Sequence, residues 1–360
     1  MEKLVSIVMP VYNGQNFLNY SINSIMSQTY KNIELIIVND NSKDDSEKII
    51  NSFCKLDKRI RYFSFKKKIG LIKCLNLGIS KSKGYYIARM DVDDFSYPER
   101  LKVQIDFLKK NNSIDLVGSQ AKYFGNISFF SKLVPSNKDD CKSFIIFKNP
   151  FIHSSIIIKK KILKFLGNYK NYYTEDYYLW SEFFSRFKAT NLKKNLLKYR
   201  THKHQHSQIS EIHKKINLKK KKSIMLIQKI WISKLLKKFS HRDLYVHYEI
   251  SHVNEKFIKQ KKIGKIYIYY DWLKKLKKEN QLRKIFNIKS FNKVVDLYAT
   301  IVCLSFSNYG QFTYKVFTSY SFANNHNLVR LLLIIACFFK INSFYVRKLL
   351  LYVIQIILIK

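Results

Sequence analysis

Strand-like and helix-like patterns alternate with short connections through residues 4–90, and this restricts the fold more than any other feature of the chain. Such a succession is accommodated by a mostly parallel sheet flanked by helices, so the chain is expected to be of the α/β class. Leu4–Val11 (LVSIVMPV) reads as a buried strand, and Phe17, Leu18, Ile22, Ile25 and Met26 share one helix face. Ile33–Val38 predicts a second strand ending on Asn39-Asp40, and Ser42–Asp45 offer caps for a helix through Ile49, Ile50 and Phe53. Arg61–Phe65 predicts a third strand, Gly70–Ile79 a helix, and Tyr85–Met90 a fourth strand that runs into Asp91. Open sheets of this kind bind ligands where loops leave the carboxyl ends of their strands. Tyr12 and Asn13, Asp40, and the trio Asp91, Asp93 and Asp94 stand at those ends. The first turn reads P-V-Y-N-G-Q-N, without the G-x-G-x-x-G that a dinucleotide-binding dehydrogenase needs.

Three carboxylates within four positions repel one another, and a hard divalent cation such as Mn²⁺ or Mg²⁺ offsets that repulsion while keeping sites for water and phosphate oxygens. Asp93 and Asp91 are the candidate metal ligands. Solvated aspartates in a polar turn are the plainer alternative, and the position at a strand end favours the site. Asp40 reads either as a turn residue or as an acceptor for a ribose or base. Glu175 and Asp176 begin a helix, where the dipole alone favours carboxylates; the functional alternative is a general base acting on an acceptor hydroxyl. His153, Arg200 and His202 are either structural residues or groups that meet a pyrophosphate.

Further along, Pro98–Lys110 predicts a helix, Ile156–Ile158 a strand and Asp176–Phe187 an amphipathic helix. The pieces V-S-I-V-M-P-V-Y-N-G (5–14), I-E-L-I-I-V-N-D-N-S-K-D-D-S (33–46), A-R-M-D-V-D-D (88–94), N-P-F-I-H-S-S (149–155), T-E-D-Y-Y-L-W (174–180) and Y-R-T-H-K-H-Q-H-S (199–207) resemble, in order and spacing, the family-2 glycosyltransferases with the GT-A fold. The resemblance covers roughly residues 4–207. It implies that Pro10, Val11, Tyr12 and Asp40 hold the nucleotide of a nucleotide-sugar donor, that Asp91 and Asp93 serve the ribose and a metal-bridged diphosphate, and that Asp94 lies behind them or faces the acceptor. It further implies that Asp176, with Glu175 beside it, is the base of an inverting displacement, that Arg89 approaches the donor, and that His153, Arg200 and His202 lie near donor or acceptor. Gly118–Lys148 carries no legible motif, so the acceptor, a glycan or a lipid-linked hydroxyl, is left open.

A GT-A catalytic domain is therefore expected over 1–207, followed by a basic, mainly helical region over 208–360. The formal charge of +41 is unevenly spread, with 35 basic and 18 acidic residues in 1–200 against 31 and 7 in 201–360. Part of this excess is what an A/T-biased genome writes, given the overuse of Lys, Ile, Asn, Phe and Tyr. Lys-rich helical stretches (Lys214–Lys222, Lys256–Lys278) alternate with apolar blocks, and the runs Leu331–Phe339 and Leu349–Ile359 are too short to span a bilayer. They read as a buried helical subdomain, an interfacial anchor or a re-entrant pair. An anionic membrane surface is a plausible partner, and the expected location is cytoplasmic and peripheral at the inner face of the plasma membrane. Nucleic acid is the competing partner for such charge, but no helix-turn-helix, zinc or RNP pattern accompanies it, so none is expected. Five scattered cysteines without ligand spacing suggest a reducing compartment.

Overall fold

The computed structural model describes residues 2–126, 131–202, 205, 214–252, 264–320, 327–339, 341 and 344–359. The chain packs as two units, one of residues 1–138 and 151–220, the other of 139–150 and 221–360. The boundary expected at residue 207 lies outside the described residues. A short segment inside the first half of the chain, 139–150, therefore belongs with the C-terminal helices, which a continuous two-domain split does not anticipate.

In the first unit β1 (Val5–Val11), β2 (Ile33–Asn39), β3 (Ile60–Ser64) and β4 (Tyr86–Arg89) are all parallel and stand in the order β3-β2-β1-β4. All seven residues of β2 are buried, as expected for a strand with neighbours on both edges. The intervening helices are α1 (Gln15–Met26), α2 (Ser46–Leu56) and α3 (Leu71–Lys81). In α1, Leu18, Ile22 and Ile25 face the core, the face that the sequence spacing predicts. Beyond β4 the sheet becomes mixed. β8 (Ile157–Lys159) joins β4 antiparallel, β6 (Leu116–Gly125) joins β8, β9 (Ala189–Thr201) runs parallel to β6, and β5 (Phe95–Ser96) closes the edge on β9. β7 (Ser131–Lys132) pairs with β6 as a short hairpin arm. Helices α4 (Arg100–Lys110), α6 (Lys160–Phe165) and α7 (Glu175–Phe183) complete this unit, α7 starting one residue before the expected Asp176 and stopping short of Phe187.

The second unit is helical. It contains α5 (Lys138–Phe144) from Asp139 on, α8 (Lys214–Leu235) from Lys221 on, α9 (His241–Ser251), α10 (Lys265–Arg283), α11 (Ile288–Ser305), α12 (Gln311–Ser319), α13 (Asn327–Phe338) and α14 (Phe344–Ile359). The stretch expected from Lys256 is helical over Lys265–Arg283, its start lying outside the described residues. Aromatic side chains build the core: Phe147 stacks on Tyr298 at 4.1 Å, and His247 is held between the Ile146 carbonyl (2.8 Å) and the Trp272 indole N–H (3.1 Å). α13 buries Val329, Leu333, Ala336 and Cys337 and leaves Leu331, Ile335 and Phe338 exposed. No helix among the described residues is long and apolar enough to cross a membrane.

Candidate active site

The carboxyl ends of β1 and β4 meet where the strand order reverses, with β2 on one side of β1 and β4 on the other. Asn13 adopts a left-handed conformation (φ 51°) in the turn after β1. The amides of Asn13, Gly14 and Gln15 donate to Ser42 Oγ (2.9 Å), Ser46 Oγ (2.9 Å) and Asp44 Oδ2 (3.0 Å), so the loop into α2 satisfies the open N-terminus of α1. A Cβ on Gly14 would sit 2.8 Å from Val92 Cγ2, so glycine lets the turn pack against the acidic loop. Pro10 and Val11 are strand residues paired with Val38 and Asn39. Tyr12 follows them, 44% exposed, with Lys68 Nζ 3.4 Å above its ring. Asp40 is buried, and its carboxylate accepts from the amides of Ile69 (2.6 Å) and Gly70 (3.1 and 3.0 Å). This carboxylate shapes the loop that leads into α3, a role beside the one the resemblance implies.

The acidic loop lies directly after β4. Ligand atoms of Asp91, Asp93 and Asp94 all fall within 4.8 Å of one another. Asp91 takes Arg89 Nη2 on Oδ1 (2.5 Å) and Ser154 Oγ on Oδ2 (2.5 Å). Burial works against its ionisation, but Arg89 and the Ser154 hydroxyl outweigh burial and lower its pKa. Asp93 Oδ2 meets His202 Nε2 at 3.0 Å. Asp94 is buried, its Oδ1 accepting from the Arg200 amide (3.0 Å) while Oδ2 has no hydrogen-bond partner among the described residues. Burial, then Asp93 and Asp91, raise its pKa well above the ordinary carboxylate value. An orphaned buried oxygen beside two further carboxylates fits a hard divalent cation, with Asp91 and Asp93 as ligands and Asp94 able to join them.

A second group adjoins it. The 3₁₀ turn His153–Ser155 carries Ser154 to Asp91 and places His153 Nε2 2.7 Å from the Tyr169 hydroxyl and Nδ1 3.9 Å from Glu175. Tyr169 is pinned by reciprocal bonds to the Asn76 amide (2.8 and 3.0 Å). Burial lowers the His153 pKa to about 3, so its imidazole is neutral at physiological pH. Burial, then the adjacent Asp176 charge, raises the Glu175 pKa to about 8. The start of α7 thus faces the acidic loop through His153 and Ser154, the arrangement that the sequence left undecided. Asp176 Oδ1 accepts from the Tyr177 amide at 2.7 Å.

Cations surround both groups. Arg89 is buried, with Nε and Nη1 free of hydrogen-bond partners among the described residues. Arg200 donates from Nε to the Asp93 carbonyl (2.8 Å) and lies over Phe124 at 4.2 Å and Phe17 at 4.9 Å, so it clamps the acidic loop from outside. Lys132 on β7, in the stretch without a legible motif, sits 3.7 Å above the Tyr199 ring; burial lowers its pKa against the opposing pull of Asp94, Asp176, Asp91 and Asp93. No sequence signal marks Lys132, Tyr169 or the buried Arg100, which donates to the Arg89 carbonyl at 3.0 Å beneath the acidic loop. Ser154 lies inside the N-P-F-I-H-S-S motif, which does mark it.

Residues 6–172 match the family described as glycosyl transferase family 2. An uncharacterized glycosyltransferase of Haemophilus influenzae is 34% identical over 219 residues, 57% of this chain and 68% of that one. The O-antigen biosynthesis glycosyltransferase WbnJ of Escherichia coli is 32% identical, the match covering 55% of this chain and 80% of that one. An uncharacterized glycosyltransferase of Rickettsia bellii is 35% identical, but the match spans 28% of its length. Among solved structures, S. aureus TarS (residues 1–349) in complex with UDP-GlcNAc superposes with a TM-score of 0.55 at 14% identity, covering 93% of this chain and 91% of that one. The mannosyltransferase PcManGT of Pyrobaculum calidifontis, in complex with GDP-Man and Mn²⁺, gives 0.51 at 10% identity, covering 93% and 88%. At such identities these two likenesses speak for the fold.

Proposed function

Because the chain belongs to glycosyl transferase family 2, we propose that it is an inverting hexosyltransferase that moves a sugar from a nucleoside-diphosphate donor, a UDP-sugar, to a hydroxyl of a glycan or lipid-linked acceptor. The observation that carries this reading is the convergence of Asp91, Asp93 and Asp94 with the Glu175-Asp176 helix start, joined through Ser154 and His153.

Tyr12 offers its ring to the base, and Asp40 fixes the loop beside it. Asp91 and Asp93 hold Mn²⁺ or Mg²⁺, which when bound supplies positive charge for the diphosphate. Asp176 takes the proton of the acceptor hydroxyl, whose oxygen attacks the anomeric carbon while the bond to the diphosphate oxygen breaks and its electron pair leaves with the nucleotide. Glu175, whose pKa burial and then the Asp176 charge raise to about 8, stands beside that base. Arg89 and Lys132 are placed to offset charge that grows on the leaving group.

The O-antigen role in the name of the E. coli relative supports a place in surface polysaccharide, lipopolysaccharide or capsule synthesis. The lysine excess and the exposed Leu331, Ile335 and Phe338 support peripheral attachment to the inner face of the plasma membrane. Release of nucleotide from a panel of UDP- and GDP-sugars with Mn²⁺ tests the reading. Slow donor hydrolysis confined to one sugar, abolished by chelator, is expected. Silence with every donor would leave a non-catalytic GT-A domain.

A further inference from the structure

Beside the acidic loop the first unit buries a hydrogen-bonded chain that ends on the helix carrying Asp176. The backbone leaves α6 through Gly167 (φ 76°) and Asn168 (φ 61°), both left-handed, and reaches Tyr169. The Asn76 side chain on α3 fixes the Tyr169 backbone from both sides, donating to its carbonyl (2.8 Å) and accepting from its N–H (3.0 Å). Tyr169 is buried, and its hydroxyl lies 2.7 Å from His153 Nε2. On the far side of that imidazole, Nδ1 lies 3.9 Å from Glu175 Oε1, at the first residue of α7.

These distances admit two tautomers of His153, and the hydrogen bonds choose between them. A neutral imidazole offers one N–H and one lone pair, and the partner of one nitrogen sets the state of the other. Among the described residues the Tyr169 hydroxyl has one hydrogen-bond partner, His153 Nε2. Were Nε2 protonated, it would donate to Tyr169 and leave the phenol proton buried without an acceptor. With the proton on Nδ1, Tyr169 donates to Nε2 and both atoms are satisfied. The low basicity of the buried ring agrees, since a doubly protonated imidazole would offer Tyr169 no lone pair. The Nδ1–H then faces the Glu175 carboxyl, and a shift of about 1 Å brings the two to hydrogen-bond length. A phenylalanine would fill the same space, so packing accounts for the ring at 169 and leaves its hydroxyl unexplained.

We infer that Tyr169 is a positioning residue for the transfer step: its hydroxyl keeps the His153 proton on Nδ1, and that N–H holds the Glu175 carboxyl and with it the first turn of α7, where Asp176 meets the acceptor. The inference rests on the reading of Asp176 as the base. Tyr169 itself touches neither substrate and acts through His153 and Glu175. Without the hydroxyl the imidazole proton is free to move to Nε2, a lone pair turns towards Glu175, and the start of α7 loses its anchor. A small misplacement of a reacting group is costly in rate while donor binding is untouched.

Full-length protein carrying ¹⁵N-labelled histidine reports the tautomer, because the protonated and unprotonated nitrogens of a neutral imidazole resonate far apart; the signals missing from His153→Asn identify this residue. The wild type is expected to hold the proton on Nδ1, and Tyr169→Phe to shift the population towards Nε2. A proton on Nε2 in the wild type, or the same tautomer in both proteins, overturns the inference. Nucleotide release from UDP-glucose, UDP-galactose and their N-acetyl forms with Mn²⁺ reads the consequence. Tyr169→Phe should lower kcat by about tenfold or more with donor KM within about twofold of the wild type. A fall in thermal midpoint with kcat unchanged would make Tyr169 structural and overturn its role. An asparagine amide reaches the place of Nδ1 and a glutamine amide that of Nε2, so His153→Asn should keep more activity than His153→Gln; equal or reversed activities count against the assignment. If the wild type releases nucleotide from no donor, the glycosyltransferase reading fails, while the spectra still decide whether Tyr169 sets the His153 tautomer.

Discussion

The two units use their charges in opposite ways. In the first, scarce acids are concentrated at one strand end and basic side chains are arrayed against them: Arg89 on Asp91, Arg200 across the loop and Lys132 facing all three, with His202 Nε2 against Asp93. In the second, Glu249, Asp296, Asp140 and Glu279 each stand in an ion pair with one lysine or arginine, and many lysines stand in none among the described residues. Clustered like charge is costly in a folded protein, and the carboxylates of the first unit form a group whose repulsion a cation with its phosphates would offset, whereas the second unit gathers no such acidic group among the described residues. Net charge, being a sum, hides both.

Breaking the first arrangement should have the largest consequence. Asp93→Asn removes a ligand and the partner of His202, and is expected to cut transfer by roughly a thousandfold or more while erasing the Mn²⁺ dependence of donor binding. Asp176→Asn should lose transfer by about 10²–10⁴-fold, yet bind the donor as the wild type does. Equal loss of donor affinity in both variants would refute the division between donor-holding and proton-accepting carboxylates. Lys132→Ala is expected to lower kcat by about tenfold with little change in thermal midpoint, and a drop in stability without a drop in kcat would make Lys132 structural.

The smallest effect sharpens the electrostatics. Glu175 is raised from 4.5 to about 8, so between those values the folded chain holds a proton that the unfolded chain has released. Stability from this group is therefore lost as pH rises through that window. Glu175→Gln cannot lose a proton, so its thermal midpoint should exceed that of the wild type above pH 8, with the difference vanishing near pH 4. A constant difference at all pH values would mean that the Glu175 carboxyl titrates normally.

Much of the first unit is legible in the sequence. Hydrophobic runs place β1 to β4 to within a residue or two, and the acids at the end of β4 follow from placement alone. The link between Asp91 and the start of α7 is not legible, because it depends on how Ser154 and His153 turn across the sheet, Ser154 lying 63 positions along the chain from the carboxylate it meets. Asp40 reads in the sequence either as a turn residue or as an acceptor for a ribose or base; the fold shows its oxygens organising the loop at Ile69 and Gly70. Lys132 is invisible because a two-residue strand in an unpatterned stretch carries no periodicity. Assignment of 139–150 to the helical unit rests on packing between distant segments, such as Phe147 on Tyr298, which composition cannot encode.

The central claim, that Asp91, Asp93 and Asp94 form a metal-dependent donor site, is tested most directly by titrating UDP into the wild type and Asp93→Asn with and without Mn²⁺. Tighter binding with Mn²⁺ in the wild type, and no such gain in the variant, is the predicted result. Identical, Mn²⁺-independent binding by both proteins would contradict it.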